Sequence, residues 1–282
     1  KEKGSLGKVY IDRSYKDIML TTSEKDSNVS LRPMTRGSRI KFNPNTEVLR
    51  FFVAWKNLDE KTLKELNPIS DKVLLKYPKT VIISEANDMM ALIDCEKLEC
   101  QEFEDTGIYE LSKFNALLDM FDDFDILRKD NTLEINSRLN SAIFTLADIA
   151  LLVPFDKNPA IFDNIKNQTL VSEFKLEKEQ VQKIKKASSI FGNLEALTFK
   201  SIDGNVDVFL NQKNRFQSSN NTFKISFPMV SEKNFEISIG TENFVKLPMK
   251  DYAVKVYYNQ DKDAYRIIFI TDNFECVIAN LN

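Results

Sequence analysis

Two stretches of the chain repeat the same order of predicted elements, and this repeat constrains the fold more than any other feature. Residues 107–148 predict a strand, a short helix and three further strands separated by turns. Residues 235–280 predict the same succession, and Phe114 in the first stretch corresponds to Phe244 in the second. The match lies in the pattern rather than in identity, and it predicts a duplicated architecture.

Strands bounded by short polar turns make up most of the sequence. The run LEALTFKSIDGNVDVFLNQ has Asp-Gly between two alternating apolar runs, which is a strong hairpin signal. Other runs of strand character meet at similar clusters of polar residues. The predicted turns are Ala86-Asn87-Asp88, Lys129-Asp130-Asn131, Asp203-Gly204, 259–263 and 271–273.

Few segments have helical character, and they are short. In LSKFNALLDMFDD the apolar residues recur at i, i+3, i+4 and i+7, which is typical of an amphipathic helix. Each copy of the repeat is preceded by another helix followed by strands. The predicted helices are 58–70 with Asp59 as N-cap, the run that starts with Ser112 as N-cap, 177–191, and 241–247 with Thr241 as N-cap. The fold class that follows is α+β, with two short helices packed on antiparallel sheets in each half.

The composition disfavours most kinds of catalysis. The chain has no His, which excludes a His general base, and its three Cys are too few to complete a tetrahedral zinc site. Seven Gly and the absence of GxGxxG and GxxxxGK[ST] leave no usual phosphate loop. We therefore expect no cofactor, no metal and no enzyme activity. A nuclease-like site made of carboxylates such as Asp122 and Asp123 stays open as an alternative.

The remaining composition points to a folded, reducing-compartment protein. We expect Cys95, Cys100 and Cys276 to be buried thiols, since they are odd in number and form no CxxC. No apolar run approaches the roughly 20 residues that span a bilayer, so no membrane partner is expected.

The helix EKEQVQKIKKASSIF, residues 177–191, concentrates lysines in a chain of net charge −3. At about 100° per residue, its apolar side chains share one side and its lysines lie on the opposite side and its flanks. Two interpretations are open from this helix alone. The lysines form an ordinary solvated face, or they face a polyanion such as DNA, whose phosphates lysine binds without reading sequence.

The same residues resemble a known family. The runs GIYELSKFNALLDMFDDFDI, LEINSRLNSAIFTLAD, LEALTFKSIDGNVDVFLNQKN, FEISIGTENFVKLPMKDYAVKVYY and NFECVIANLN are similar to the DNA polymerase sliding clamps of the T-even bacteriophage type. The likeness covers about residues 59–282 and is spread over many apolar and turn positions rather than one sharp motif.

The resemblance implies a division of the chain and an assembly. Residues 59–152 and 170–282 would be two clamp domains, joined by a connector at 153–169. Three copies would form a head-to-tail homotrimeric ring, with sheets outside and helices lining a channel around double-stranded DNA. The implied partners are the replicative DNA polymerase, a clamp loader and the late-transcription machinery. The implied location is the cytoplasm of the infected host, at the replication fork.

The resemblance also implies two sets of site residues. The lysines expected to face DNA in the channel are Lys61, Lys64, Lys113, Lys178, Lys183, Lys185, Lys186 and Lys246. The apolar residues expected to bind partner peptides near the connector are Leu151, Val153, Phe155, Ile161 and Phe162. An ordinary core or connector role is the alternative for each of these five.

Residues 1–58 depart from the family pattern and have no assigned role. They read as a β-rich extension of several strands, with a cationic patch of Arg32, Arg36, Arg39 and Lys41. The patch belongs either to a solvated loop or to a surface that touches DNA. The rival interpretation for the whole chain is a β-rich viral structural or interaction protein without a DNA role, which explains the strands but not the duplicated helices.

Overall fold

The residues that the computed structural model describes fall into two units. The smaller unit comprises Lys1–Lys56 with Leu118–Thr145, and the larger unit comprises Asn57–Leu117 with Leu146–Asn282. The predicted domain boundaries at 58, 152 and 169 do not refer to these two units, and they remain predictions. The described residues are 6–11, 18–23, 40–41, 60–98, 104–121, 124–192, 194–211, 222–228 and 230–281.

Helices are few and strands are many in the described ranges. The helices are α1 Glu60–Leu66, α2 Leu111–Leu118, α3 Ile149–Leu152, α4 Ala160–Lys166, α5 Lys178–Phe191 and α6 Thr241–Lys246, with a 3-10 helix at Val153–Phe155. The strands are β1 Leu6–Ile11, β2 Ile18–Ser23, β3 Ile40–Lys41, β4 Val73–Leu75, β5 Lys79–Ile83, β6 Met89–Asp94, β7 Thr106–Ile108, β8 Phe124–Lys129, β9 Thr132–Ser137, β10 Ser141–Thr145, β11 Thr169–Leu176, β12 Ala196–Ile202, β13 Asn205–Asn211, β14 Phe223–Phe227, β15 Phe235–Gly240, β16 Tyr252–Asn259, β17 Ala264–Ile270 and β18 Phe274–Ile278. None of these helices is long and apolar enough to cross a membrane.

The smaller unit consists of antiparallel strands in the residues described. One sheet has the order β2-β1-β3, and another has the order β10-β9-β8. Predicted strands at 28–34 and 48–55 lie outside the described residues. So do the side chains of the cationic patch, the Asp122–Asp123 pair, Cys100 and the predicted cap Asp59.

The larger unit is built on two main antiparallel sheets. One has the order β11-β16-β17-β18-β6-β5, and the other has the order β14-β13-β12-β15; β4 and β7 form a separate pair. In the first of these sheets, β18 from the end of the chain pairs with β6 from the first repeat, with Cys276 opposite Ala91. Hydrogen bonds between strands therefore join the two repeats into one sheet.

The duplication predicted from sequence is visible in the element order of the described residues. The first half runs α1, β4 to β7, α2, β8 to β10, and the second runs α5, β12 to β15, α6, β16 to β18. The pairings also correspond, because β4 pairs with β7 as β12 pairs with β15. Phe114 in α2 and Phe244 in α6 are both fully buried.

Four of the five predicted turns contain a residue in the left-handed backbone conformation and connect paired strands. Asn and Asp tolerate positive φ better than most residues, and Gly tolerates it best. The positive-φ residues at these turns are Asn87, Asp130, Asp203, Gly204 and Asp263. Each lies between strands that pair directly with one another.

Aromatic side chains form the core beneath the helices of the larger unit. The Phe269 ring on β17 lies 5.8 Å from that of Phe244 on α6, 6.0 Å from that of Tyr252 and 6.1 Å from that of Phe199. Neighbouring strand residues point to opposite faces, so Ile268 faces the other side of the sheet. That second side is covered by α4.

The predicted N-caps of two helices were wrong. Helix α2 begins at Leu111, and the N–H of Ser112 donates to the Asp71 carboxylate at 2.6 Å. The acceptor that satisfies this end of the helix thus comes from a distant loop, which local sequence does not reveal. Helix α6 begins at Thr241 itself, with Gly240 as its N-cap.

The predicted connector is more structured than its sequence indicates. Its proline-containing run shows no helical period, yet it contains the 3-10 helix and α4. Helix α4 places Phe162 and Ile165 on the sheet, so tertiary packing rather than propensity accounts for it. Cys95 and Cys276 are buried thiols, as predicted.

Removing the aromatic ring of Phe244, which packs α6 on the sheet, is expected to destabilise the fold. Phe244→Ala removes a fully buried side chain and should lower the free energy of unfolding by about 3–5 kcal/mol. Val245→Ala in the same helix removes a side chain that is 38% exposed and should cost under about 0.5 kcal/mol. Denaturant unfolding of both variants measures the difference, and equal costs would contradict this core assignment.

Candidate nucleic-acid interface

Helices from both halves of the chain lie next to one another on one side of the larger unit. The Asn115 side chain on α2 donates to the Leu63 carbonyl on α1 at 3.2 Å. Lys250, just after α6, forms an ion pair with Glu65 on α1 at 2.6 Å. Lys185 on α5 in turn donates to the Leu247 carbonyl at the end of α6. These contacts order the helices as α2, α1, α6 and α5.

Helix α5 has strong local determinants at both ends. Glu177 and Gln180 form a reciprocal capping box at its start, and Gly192 ends it with φ +64°. Asp251 adds a further acceptor, because its carboxylate accepts the Lys178 N–H at 2.8 Å. This long helix is therefore fixed in position on the sheet that includes β13 and β14.

The buried and basic faces of α5 are those predicted from its sequence. Val181, Ile184 and Ala187 are buried. Lys178, Lys183 and Lys186 are exposed. No described residue forms an ion pair with any of these three lysines within 4.0 Å, so their charges face solvent.

Lys185 differs from the other lysines of α5. It is half-buried, its ammonium donates to the Leu247 carbonyl, and burial lowers its pKa. Its ammonium therefore joins α5 to the end of α6, and it is less available to an external anion than the neighbouring lysines are.

The other predicted channel lysines have varied surroundings. Lys113 is paired with Glu110 at 2.5 Å, and Lys246 donates to the Asn243 side chain at 3.1 Å. Lys64 is exposed at the end of α1, and the side chain of Lys61 lies outside the described residues. The structure thus brings these lysines onto one row of helices and leaves the charge of α5 least compensated.

Two lysines on the opposite face of the six-stranded sheet are paired with acids. Lys255, two residues before Tyr257 on β16, lies 3.2 Å from Glu173 on β11. Lys166 on α4 lies 3.0 Å from Glu275 on β18. After Glu179, by contrast, α5 has no acidic residue, and the next acid along the chain is Glu195. The helix side therefore carries a run of unpaired lysines on α5, within the part of the chain that the structure describes.

The predicted partner-binding residues fall into two groups. Leu151 and Val153 are 62% and 60% exposed. Phe162 on α4 is fully buried against the sheet, and Ile161 on the same helix is partly buried beside it. Phe155 is half-buried, with its ring 5.3 Å from the Lys72 ammonium. Only the first group is open to a partner in this arrangement of the described residues.

Sequence reasoning missed an exposed aromatic residue that shares the Lys72 ammonium with Phe155. Tyr109 is 48% exposed, and its ring lies 5.1 Å from the same Lys72 ammonium. It directly follows β7, where an apolar residue is expected to be buried, so the sequence held no signal of its exposure. Within the described residues, no cluster of three or more Cys, Asp or Glu side chains is arranged to hold a metal ion.

Comparison with known proteins identifies the fold. No protein-family model matches the chain, and no curated protein matches it in sequence. Among solved structures, PCNA from A. fulgidus bound to the C-terminal region of FEN-1 is 10% identical, with a TM-score of 0.56 over 80% of this chain and 96% of that chain. The H. pylori beta clamp is 14% identical, with a TM-score of 0.54 over 99% of this chain and 87% of that one.

A third solved structure is the DNA polymerase III beta chain from Streptococcus pneumoniae. It is 14% identical, with a TM-score of 0.55 over 80% of this chain and 63% of that chain. At these identities the likeness concerns the fold. The chain has the sliding-clamp fold, an α+β architecture of short helices on antiparallel sheets, which confirms the fold class predicted from the sequence.

The cap that Asp251 gives to α5 should depend on pH. The hydrogen bond from the Lys178 N–H and the ion pair with Lys175 at 3.1 Å lower the pKa of this carboxyl. A depressed folded-state pKa stabilises the fold above the unfolded value of about 4, and the contribution is lost as pH falls through the folded value.

Asp251→Ala should therefore lower Tm by about 2–4 °C at pH 7 and by much less near pH 3. Asp261→Ala, in the exposed turn after β16, serves as the control and should leave Tm unchanged at pH 7. Thermal unfolding across this pH range measures the gap, and a pH-independent gap would exclude a role for the carboxylate charge.

Proposed function

We propose that this chain is a DNA sliding clamp that encircles duplex DNA and tethers a replicative DNA polymerase. The observation that supports it best is the uncompensated lysine face of α5, which lies on the helix side of a sliding-clamp fold. The finer likeness to the T-even bacteriophage clamps, stated from the sequence, belongs to this proposal. So does the predicted location at the replication fork of an infected cell.

Charge and topology fit this role. Lysine contacts to phosphates are sequence-independent and weaken with salt. A protein that must move along DNA needs contacts of this kind, because base-specific contacts would hold it at one site. In a closed ring the topology keeps the DNA inside, so a few weak contacts per chain are sufficient. No catalytic step is proposed.

The strand edges support assembly from copies of this chain. In the repeat, β10 corresponds to β18 and β14 corresponds to β6, and β18 pairs with β6 inside the chain. Both β10 and β14 are at the ends of their described sheets. We infer that β10 of one copy pairs with β14 of the next, head to tail.

Apolar side chains on these edges favour the same interface. Ile143 on β10 is 69% exposed, and Ile225 on β14 is half-buried. An unpaired edge with exposed apolar residues is a liability that a partner strand removes. A repeated head-to-tail contact forms a ring when its rotation closes, and we propose closure with three copies.

The proposed partners follow from the fold neighbours. One of them was solved with the C-terminal region of FEN-1, and another is the beta chain of DNA polymerase III. We propose that this chain likewise binds segments of a replicative polymerase and of a clamp loader, and that late-transcription proteins use the same surface. Leu151 and Val153 are the exposed residues proposed for these contacts.

Charge reversal on α5 tests the DNA-facing role. A variant with Lys178→Glu, Lys183→Glu and Lys186→Glu should lower DNA-dependent polymerase processivity at least tenfold at moderate salt, since each phosphate contact contributes about 0.9 to the slope of log K against log salt. The matched control reverses Lys79, Lys233 and Lys262, which lie on β5 and in the loops after β14 and β16 and form no ion pair among the described residues. If both variants support equal processivity over a salt series, α5 does not face DNA.

A single edge substitution tests the assembly. Wild-type chain at micromolar concentration should have three times the mass of the 32.6 kDa chain. Ile143→Lys should reduce it to one chain that is still folded by circular dichroism, because the side chain is exposed in the isolated chain. Ile202→Lys, at a position 50% exposed on β12, should leave the larger mass intact. Light scattering measures this, and a wild-type monomer under all conditions would contradict the ring.

A further inference from the structure

The two halves of the chain are joined by paired strands and also by one ion pair between helical segments. We call the region where β18 pairs with β6 the internal junction. On its helix side, the Lys250 ammonium, just after α6, lies 2.6 Å from the carboxylate of Glu65 on α1. Both of these side chains are partly buried. The internal junction therefore combines a strand pair with a pair of opposite charges.

The strand register of the two halves identifies the residue that corresponds to Glu65. Val73 on β4 pairs with the β7 residue that lies six positions before the buried Phe of α2. Thr198 on β12 pairs with the β15 residue that lies six positions before the buried Phe of α6. Glu65 lies eight positions before Val73, and Ile190 on α5 lies eight positions before Thr198. The residues four positions before Val73 and Thr198 are both apolar and buried, so Ile190 corresponds to Glu65.

The helices that carry the two buried Phe residues identify the counterpart of Lys250. Phe114 is the fourth residue of α2, and Phe244 is the fourth residue of α6. Lys250 lies six positions after Phe244, and Met120 lies six positions after Phe114. Met120 therefore corresponds to Lys250.

Both counterparts are apolar and strongly exposed. Met120 is 72% exposed, and Ile190 is 68% exposed. Single exposed apolar residues are common on protein surfaces. These two, however, occupy the positions at which the other half of the chain forms a contact across a junction. The repeat thus pairs two exposed apolar residues with one another, although both belong to the same chain and neither is covered by it.

We propose that Met120 of one copy packs against Ile190 of the next copy, where β10 of the first copy pairs with β14 of the second. Met120 belongs to the same half as β10, and Ile190 belongs to the same half as β14, just as Lys250 belongs with β18 and Glu65 with β6. The contact rests on the ring assembly proposed above and is independent of DNA binding. It gives the junction between copies an apolar pair where the internal junction has charges.

The two junctions should therefore respond differently to salt. Salt screens an ion pair near the surface, whereas it does not screen a contact between apolar side chains. Lysine contacts to DNA phosphates also weaken as salt rises. Contacts between copies would therefore persist at ionic strengths that weaken the hold of the chain on DNA.

Variants that copy the charges of the internal junction test this pair. Ile190→Glu alone and Met120→Lys alone should each raise the concentration at which half the chains are assembled by at least about tenfold, because a charge then meets an apolar side chain. The double variant should assemble about tenfold better than either single variant at low salt, and it should lose this gain near 0.5 M salt. Ile202→Glu, at a position 50% exposed on β12, is the control and should assemble like wild type.

Sedimentation measures these concentrations, and circular dichroism should show all variants folded, because each replaced side chain is exposed in the isolated chain. Cysteine cross-linking tests proximity independently of stability. Met120→Cys combined with Ile190→Cys should form covalent dimers and trimers with an added thiol oxidant, whereas each single-cysteine variant should form no more than wild type does.

Two kinds of failure are distinguishable. If wild type assembles but the single charge variants assemble equally well, or the double-cysteine variant does not cross-link beyond its controls, the Met120–Ile190 contact is wrong and the ring is unaffected. If wild type stays monomeric under all conditions, the proposed ring fails, and this contact fails with it.

Discussion

The antiparallel pairing of β18 with β6 is the constraint on which the larger unit depends. It joins the last strand of the second repeat to the first repeat, so one sheet extends through both. Helix α6 packs on this sheet through Phe244 and Phe269. It links α1 of the first half, through Lys250 and Glu65, to α5 of the second half, through Lys185. The same pairing gives the opposite face its width, since α4 covers residues from β5 and β6 and also from β16 to β18.

Much of this fold could be predicted from sequence, because local chemistry determines it. Asp203-Gly204 has positive φ at both residues in the predicted hairpin, and the apolar period of α5 corresponds to its buried face. What could not be predicted depends on distant residues. Asp71 supplies the acceptor at the start of α2, and Lys185 differs from its neighbours only because Leu247 lies beside it. Neither residue is near its partner in sequence.

The distribution of charge is more informative than its total. A net charge of −3 suggests no affinity for a polyanion, and many lysines are in fact neutralised where they stand. Lys255 and Lys166 on the sheet face opposite the helices, and Lys250 beside α1, each have a carboxylate within 3.2 Å. The exposed lysines of α5 have none among the described residues. The run of unpaired lysines on α5 allows an acidic protein to present a local basic surface, and the composition alone cannot reveal it.

The β18–β6 pair also differs in kind from the contact that copies of the chain would make with one another. Within the chain, the two strands remain attached through the polypeptide even when their hydrogen bonds break, so they separate briefly and rejoin. A strand pair between chains has no such attachment, and separated partners diffuse apart. In a ring built from this chain, DNA would therefore enter where the strand pairing between two subunits breaks. The β18–β6 pairing within each subunit would remain closed.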